Sequence, residues 1–478
     1  MMTRKLKSIA LAGFFLAGLQ IQAQDKITYE DHVLPILRNA CLKCHNPDKM
    51  RADLDLSTYN ALMKGGGGGE VVAGGDADGS FLYQVITHTE EPTMPPNGKL
   101  SDKEIEVFKK WIVGGLLETT GSKAVMSDKP KVDLTIDPDS LGKRPEGPAP
   151  MPVEVLSLDP FVRTDRTSVS TAIAVSPWAP LVAIGGQRQV ILYNTDNLKV
   201  AGIIPFPKGY PHSLNFSATG KLLVIGGGRG ANLGFSTVWD VTKGEQLLTV
   251  GEDLDAVLAT DISADQRYIA HGGPDRLVRI FSTDTGEMLH KIKKHTDWVT
   301  SMRFGPKGKY VASGDRAGGI HVWEAEPGGR VASLMGHRGR ITGLEWVSTN
   351  VVASVSEDGT GKLWNIDEVT QLKSWTAHSG GASGLRRAQT GDLVTVGRNR
   401  RATLWDAGGN AKRSFTFPGD IPSTGVPTHD AKRVIGTDWT GQVYVWNAAD
   451  GQEISRLSLN PATMADQFTA AQKDVDEK

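Results

Sequence analysis

Short β-branched runs, each ending on an aromatic residue, recur along the later part of the chain: VILY at Tyr193, STVW at Trp239, LVRIF at Phe281, GIHVW at Trp323, GKLW at Trp364, ATLW at Trp405 and QVYVW at Trp446. Successive aromatics lie 46, 42, 42, 41, 41 and 41 residues apart, with turn glycines between them. A period of about 40 to 45 residues with strand chemistry predicts one four-stranded antiparallel blade per unit, because such a sheet buries its faces only against neighbouring copies. In the fifth unit the strands are expected at Ile341 to Trp346, Val351 to Ser356, Gly361 to Trp364 and Gln371 to Trp375. Seven units predict an all-β, seven-bladed propeller over residues 151–460. Two segments compete for the outer strand of the last blade, Val153 to Leu158 and Gln452 to Leu459. The second follows the Trp446 strand at the distance seen in other blades and is the expected one.

Towards the N-terminus the apolar period changes from two to 3.6. Val33, Ile36, Leu37 and Ala40 share one helical face, and Pro35 confines the regular helix to a start near His32. Ser101-Asp102-Lys103-Glu104 is a capping box for a helix that runs to about Val113 and stops at Gly114-Gly115, with Ile105, Phe108, Trp111 and Ile112 as its apolar stripe. Residues 24–116 therefore read as a small all-α domain, 117–150 as a Pro- and Lys-rich linker and 461–478 as a tail with a short frayed helix. Ahead of them, Arg4, Lys5 and Lys7 precede an apolar run from Ile9 to Leu19 and small residues through Ala23, the pattern of a secretory signal peptide over residues 1–23. Eleven apolar residues are too few to span a bilayer core of ~30 Å, so no transmembrane anchor is expected.

Composition narrows the chemistry. In a chain of 478 residues, 53 lysines and arginines stand against 54 acidic residues, and loss of the leader's three cations takes the balance to about −4. Such a balance argues against a nucleic-acid binder. The only cysteines are Cys41 and Cys44, in the run Cys41-Leu42-Lys43-Cys44-His45. An exported chain that spends both cysteines on one motif takes no stability from disulfides. Two thiols at this spacing can add across the vinyl groups of one haem, with His45 as the proximal iron ligand. A redox CxxC pair and half of a zinc site are the other readings, but zinc requires about four ligands and no second cysteine pair exists. For the distal ligand the candidate is Met94, in Thr93-Met94-Pro95-Pro96-Asn97-Gly98; His88, Met50, Met63 and an open site are its rivals.

The run ILRNACLKCH, the glycines Gly65 to Gly69, Val72-Ala73-Gly74-Gly75-Asp76, the MPP motif and Trp111-Ile112-Val113-Gly114-Gly115 resemble the planctomycete-type cytochrome c domain. The resemblance covers about residues 28–116 and implies a class-I-like helical cytochrome, with one haem c bound covalently to Cys41 and Cys44, His45 proximal and Met94 distal. The five consecutive glycines depart from that pattern and read as a flexible loop. The repeats resemble the WD-repeat family: Trp239-Asp240 and Trp405-Asp406 keep its dipeptide, and the fifth unit keeps His337, Ser354, Asp358 and Trp364. Tyr193 and Phe281 replace the tryptophan elsewhere, and Ala317 and Thr440 stand at the aspartate position six before the aromatic.

Loops before the innermost strands and between the second and third strands emerge on one face, where they carry Lys293, Lys294, Arg338, Arg340, Arg398, Arg400 and Arg401. Asp297, Asp315, Glu357 and Asp358 nearby are expected to offset part of that field. The chain as a whole reads as an exported monohaem c-type cytochrome, periplasmic or extracellular, that transfers single electrons and uses its propeller to dock an acidic redox partner or another protein. Two alternatives remain open: a propeller oxidoreductase feeding electrons to the haem, and a haem-based redox or gas sensor. No catalytic residue is assigned, because His212, His271, His295 and His378 read as structural.

Overall fold

Between Tyr29 and Leu117 the 3.6 period becomes a π-helical turn, Tyr29–Val33, and four short helices: α1 (Leu34–Ala40), α2 (Tyr59–Lys64), α3 (Phe81–Thr87) and α4 (Asp102–Val113). The computed structural model describes residues 26–67, 69–77, 79–125, 133–152, 156–466, 468, 469 and 472; the leader lies outside them. Regular α-helix begins at Leu34 rather than near His32, and Pro35 sits in its first turn, where a missing N–H costs nothing. The capping box forms: Ser101 N donates to Glu104 Oε2 at 2.8 Å and Glu104 N to Ser101 Oγ at 3.4 Å. The α4 stripe packs onto the N-terminal turn, with the Tyr29 and Trp111 rings 6.0 Å apart. Both Tyr29 N and Trp111 Nε1 donate to the Leu117 carbonyl, at 2.7 and 2.9 Å. The glycine run is tied down at its described positions: Gly66 N donates to Gly69 O and Gly67 N to Ala52 O. Gly65 has φ +78°, and a Cβ there would lie 2.0 Å from Gly69 O, so the turn demands glycine.

The chain divides into two compact units, residues up to 128 and residues from 129 onward. The second is a propeller of seven four-stranded antiparallel sheets, each made of four consecutive strands. Blade 5 has its strands at Ile341–Trp346, Val351–Ser356, Thr360–Asn365 and Thr370–Thr376, every bound within a residue of the expected one. The segment Glu453–Ser458 supplies the outer strand of blade 7. Residues 153–155 of the competing segment lie outside the described residues, and Ser157 O instead accepts from Ile203 N on the outer strand of blade 1. No strand is exchanged where the ring closes. Ile173, Ile184 and Ile191 of blade 1 meet Val426, Ile435 and Val443 of blade 7 in one apolar cluster. Tyr193 Oη donates to Ser458 O and Ser423 Oγ to Ser170 O, both at 2.6 Å. Part of the expected linker also packs on this unit: Leu134 is buried beside Leu222 and Ile262, and its carbonyl accepts from Gln266 Nε2. In the tail, residues 464–466, 468, 469 and 472 are helical.

Each blade needs a tie between its outer loop and inner strands, and in blade 5 the four family residues provide it. His337 Nδ1 lies 2.9 Å from Asp358, its Nε2 2.8 Å from Ser354 Oγ, and Trp364 Nε1 donates to the same hydroxyl at 2.8 Å. Blade 4, which lacks an aspartate at the template position, builds the same network from two residues earlier. His295 contacts Asp315 at 2.9 Å and Ser313 at 2.7 Å, and Trp323 Nε1 donates to Ser313. In blade 6 Asn399 and Thr395 stand in for the aspartate and serine around His378 and Trp405. In blade 7 Asp438 likewise works two residues ahead of Thr440, accepting from Tyr444 Oη at 3.0 Å. Ser354→Ala removes one hydroxyl and leaves the buried Trp364 N–H without its acceptor and the His337 Nε2 lone pair without its donor, so we expect a loss of about 2–4 kcal/mol in urea denaturation. A change below ~0.5 kcal/mol would deny the network its structural role.

Candidate functional site

Cys41 caps the C-terminus of α1 and the next turn carries Cys44 and His45, whose backbone N–H groups both donate to Cys41 O at 3.1 Å. Both cysteines are free thiols. Burial pushes the Cys41 thiol up to about 11, which holds it protonated and makes it a poor partner for thiol–disulfide exchange. His45 Nδ1 lies 3.1 Å from the carbonyl of Arg51. A carbonyl only accepts, so Nδ1 carries the proton and Nε2 keeps its lone pair, the tautomer a metal-ligating histidine needs. The loop that presents this carbonyl is strained: Met50, Ala52 and Asp53 take φ 32°, 57° and 55° without being glycine, at a cost on the order of 1–3 kcal/mol each. Further ties fix the loop, from Arg51 N to Cys44 O and from Leu56 N to His45 O.

Met94 is anchored by its N–H to Val85 O at 2.9 Å, and its side chain packs against the apolar cluster that contains Cys41. Of its rivals, His88 is exposed at the end of α3, Met50 is 42% exposed and Met63 is a half-buried part of the same cluster. The two thiols and His45 thus share one turn, Met94 shares a core with Cys41, and His88 stands apart. The donor set fits a covalently held haem.

In the propeller, the penultimate residues of the innermost strands in blades 2 to 6 are Asn215, Asp261, Arg303, Glu345 and Arg386, while blades 7 and 1 have Val426 and Ala174 there. These side chains brace one another. Arg303 reaches Glu345 at 3.0 Å, Asp261 at 3.7 Å and the Asn215 amide oxygen, and Arg386 lies 3.9 Å from Glu345. Burial raises the Asp261 carboxyl to about 6 against the opposing pull of Arg303 and the Phe304 N–H, and burial together with Arg303 lowers Arg386 to about 9. Asn215 and Arg386 line both of two cavities, one of about 510 Å³ towards the loops that precede the innermost strands and one of about 340 Å³ at the opposite end.

The basic face keeps its charge. Lys293, Lys294, Arg338, Arg398, Arg400 and Arg401 are exposed and Arg340 is half-buried. Two of the four acids read as offsetting them turn inward instead, Asp315 to His295 and Asp358 to His337. Glu357 pairs with Arg398 at 3.2 Å, and Arg316, unremarked in the sequence, stacks 5.0 Å from the exposed Trp298 ring. His295, Asp315 and His321 bring donor atoms within 4.8 Å of one another. Both His295 nitrogens are already hydrogen-bonded and His321 Nδ1 binds Ser333 at 2.8 Å, so the cluster is a structural network.

Comparison with known proteins divides along the same line. Residues 41–98 match the planctomycete cytochrome C family, and residues 286–324 and 328–365, from the outer strand of blade 3 to the third strand of blade 5, match the WD domain, G-beta repeat. Among curated relatives, the WD repeat-containing protein 26 homolog of Arabidopsis thaliana is 26% identical over 24% of this chain and 21% of its own length. The F-box/WD repeat-containing protein sel-10 of Caenorhabditis elegans is 30% identical over 22% of this chain and 18% of its own. Striatin-3 of Homo sapiens is 25% identical over 23% and 15%. The chain spans about a fifth or less of the length of these relatives.

The buried titrating groups set a pH dependence. Burial holds His321 at about 4 and keeps His337 and His378 below 6.5, so between those values the unfolded chain takes up protons that the folded chain refuses. Stability from these three is lost as pH falls and complete above 6.5. Asp261 acts oppositely, since its folded value of about 6 exceeds 3.8 and its contribution fades as pH rises through that window. Burial lowers His212 in the same sense, and four histidines against one carboxylate predict a urea midpoint that rises from about pH 5 to about pH 7, and more steeply in Asp261→Asn.

Proposed function

From a planctomycete-type cytochrome c segment joined to a seven-bladed WD-repeat propeller, we propose that this protein is an exported monohaem c-type cytochrome that carries single electrons and is docked by its propeller. The observation that carries the reading is His45, whose Nδ1 is committed to the Arg51 carbonyl and whose Nε2 is not, on the turn that presents two free thiols. Cys41 and Cys44 would hold the haem through thioether bonds, and His45 and Met94 would supply the ligands to its iron. Haem supplies reversible one-electron chemistry when it is bound. The chain's own contribution is to hold the ligands still: the loop from Met50 to Asp53 stores strain to aim one carbonyl, and that carbonyl fixes the imidazole's tautomer and direction. A thioether ligand from a packed core favours a high potential and electron transfer over oxygen chemistry.

WD-repeat propellers serve protein–protein interaction, and the basic face is the surface we assign to that task. Six of its seven lysines and arginines are exposed, and Glu357 pairs with one of them, Arg398. An acidic redox protein is the partner of matching chemistry, steered by charge at low ionic strength. The reading of the chain as exported rests on the leader pattern, and no described helix is long and apolar enough to cross a membrane.

Chain produced with a covalent haem-attachment system should keep its haem through acid-acetone extraction, while Cys41→Ala with Cys44→Ala should release it. Free haem from the unaltered chain would end the assignment. Met94→Ala should admit carbon monoxide to the ferrous protein far faster than the parent does. Reversal of charge in Arg338→Glu with Arg398→Glu should slow reduction by an acidic redox protein by roughly tenfold at low salt, a gap that closes at high salt. A stopped-flow rate unmoved by the double change rules out docking on this face.

A further inference from the structure

The cavity of about 340 Å³ opens at the end of the propeller away from the basic face, among the loops that join first and second strands. Its charge balance does not close. Glu345 is held by Arg303 and Arg386, and Asp261 by Arg303 and the Phe304 N–H at 2.8 Å. Asp430, beside the cavity, accepts from Thr428 Oγ1 at 2.8 Å and lies 3.3 Å from Lys432 Nζ. Arg387 at the end of the blade 6 inner strand and His429 just beyond the blade 7 inner strand both line the cavity, and the His429 ring adds to the pull that holds the Asp430 carboxyl below its usual range. Neither side chain has a hydrogen bond or ion pair to a described residue. Arg387 Nε and His429 Nδ1 are buried and unpartnered.

A buried polar nitrogen without a partner is costly, so Nε of the half-buried Arg387 and Nδ1 of the half-buried His429 call for an occupant of the cavity. Trp178 and Trp346 also line the space, and their indole N–H groups are already donated to Ala218 O and Arg303 O, so neither supplies a further donor to a bound group. At ~30 Å³ per water the cavity has room for about eleven waters, so a polyatomic ion fits with its hydration partly kept. We propose that this cavity binds a small oxyanion, a phosphate or carboxylate group, through the guanidinium of Arg387 and the ring of His429. Arg387 presents a planar fork to two oxygens, which a lysine would not do, and His429 adds a donor from the neighbouring blade. The site lies within the propeller unit and is independent of the haem reading.

Isothermal titration of the full chain at low salt, with inorganic phosphate and separately with succinate, tests the proposal. One of the two should saturate a single site and raise the melting temperature, and which one does so identifies the source of the oxyanion. Arg387→Gln should weaken binding by roughly tenfold or more and abolish the thermal shift; His429→Gln should weaken it several-fold. Arg401→Gln, on the opposite face, should bind as the parent does. Melting of each variant without ligand establishes that it folds, and His429→Gln carries the test if Arg387→Gln does not. Absence of saturation by either anion, or parental affinity in the folded variants, overturns the site and leaves water as the cavity's content.

Discussion

A four-stranded sheet has two apolar faces and cannot bury both alone, and this constraint governs the larger part of the molecule. Every blade must lie between two others, so blade 1 must meet blade 7 although nothing in the chain joins them directly. The seam is made by side chains: branched apolar residues from both blades interlock, and Tyr193 and Ser423 reach across to main-chain carbonyls. Because each sheet is built from four consecutive strands, closure depends on packing at the seam rather than on a shared strand. The ring is therefore only as firm as that apolar contact and the hydrogen bonds that rim it.

Much of this was legible in the order of residues. The blade period followed from the spacing of seven aromatics, and the strand bounds of blade 5 followed from turn residues, because both are local properties. The Ser101–Glu104 cap was legible for the same reason. Features that arise between blades were not. Asp315 replaces a template aspartate from two positions away because the loop before Gly319 folds back to bring its carboxylate to His295, and no spacing rule within one repeat anticipates that. Leu134, read as linker, is buried because a gap beside Leu222 and Ile262 accepts it. The braced residues at the channel did leave a trace: Asn215, Asp261, Arg303, Glu345 and Arg386 are spaced by 46, 42, 42 and 41 residues, the rhythm of the aromatics. Polar residues repeating in step with a hydrophobic marker are a signal of shared position.

In the helical unit the motif was legible and the backbone that orients it was not. Cys41, Cys44 and His45 declare themselves by spacing, but the acceptor that orients His45 is a backbone carbonyl, and any residue has one. Only the three left-handed residues around Arg51 betray that this particular carbonyl is aimed, and none of them is a glycine that would have announced the turn. The Met94-Pro95-Pro96 run already set Met94 ahead of His88, and the fold adds that Met94 packs on the core with Cys41 while His88 is exposed.

The braced channel has a consequence for how such a protein can change. A repeat array whose copies touch only like neighbours can gain, lose or reorder units at small penalty. Here the five inner positions read amide, acid, base, acid, base in order around the axis; the four charged ones are each matched to the next, and Arg303 reaches past Asp261 to the Asn215 amide. Duplicating blade 4 would set two arginines side by side, and deleting blade 5 would do the same with Arg303 and Arg386. The blades share one shape, yet they have become individuals whose sequence around the ring is locked by charge.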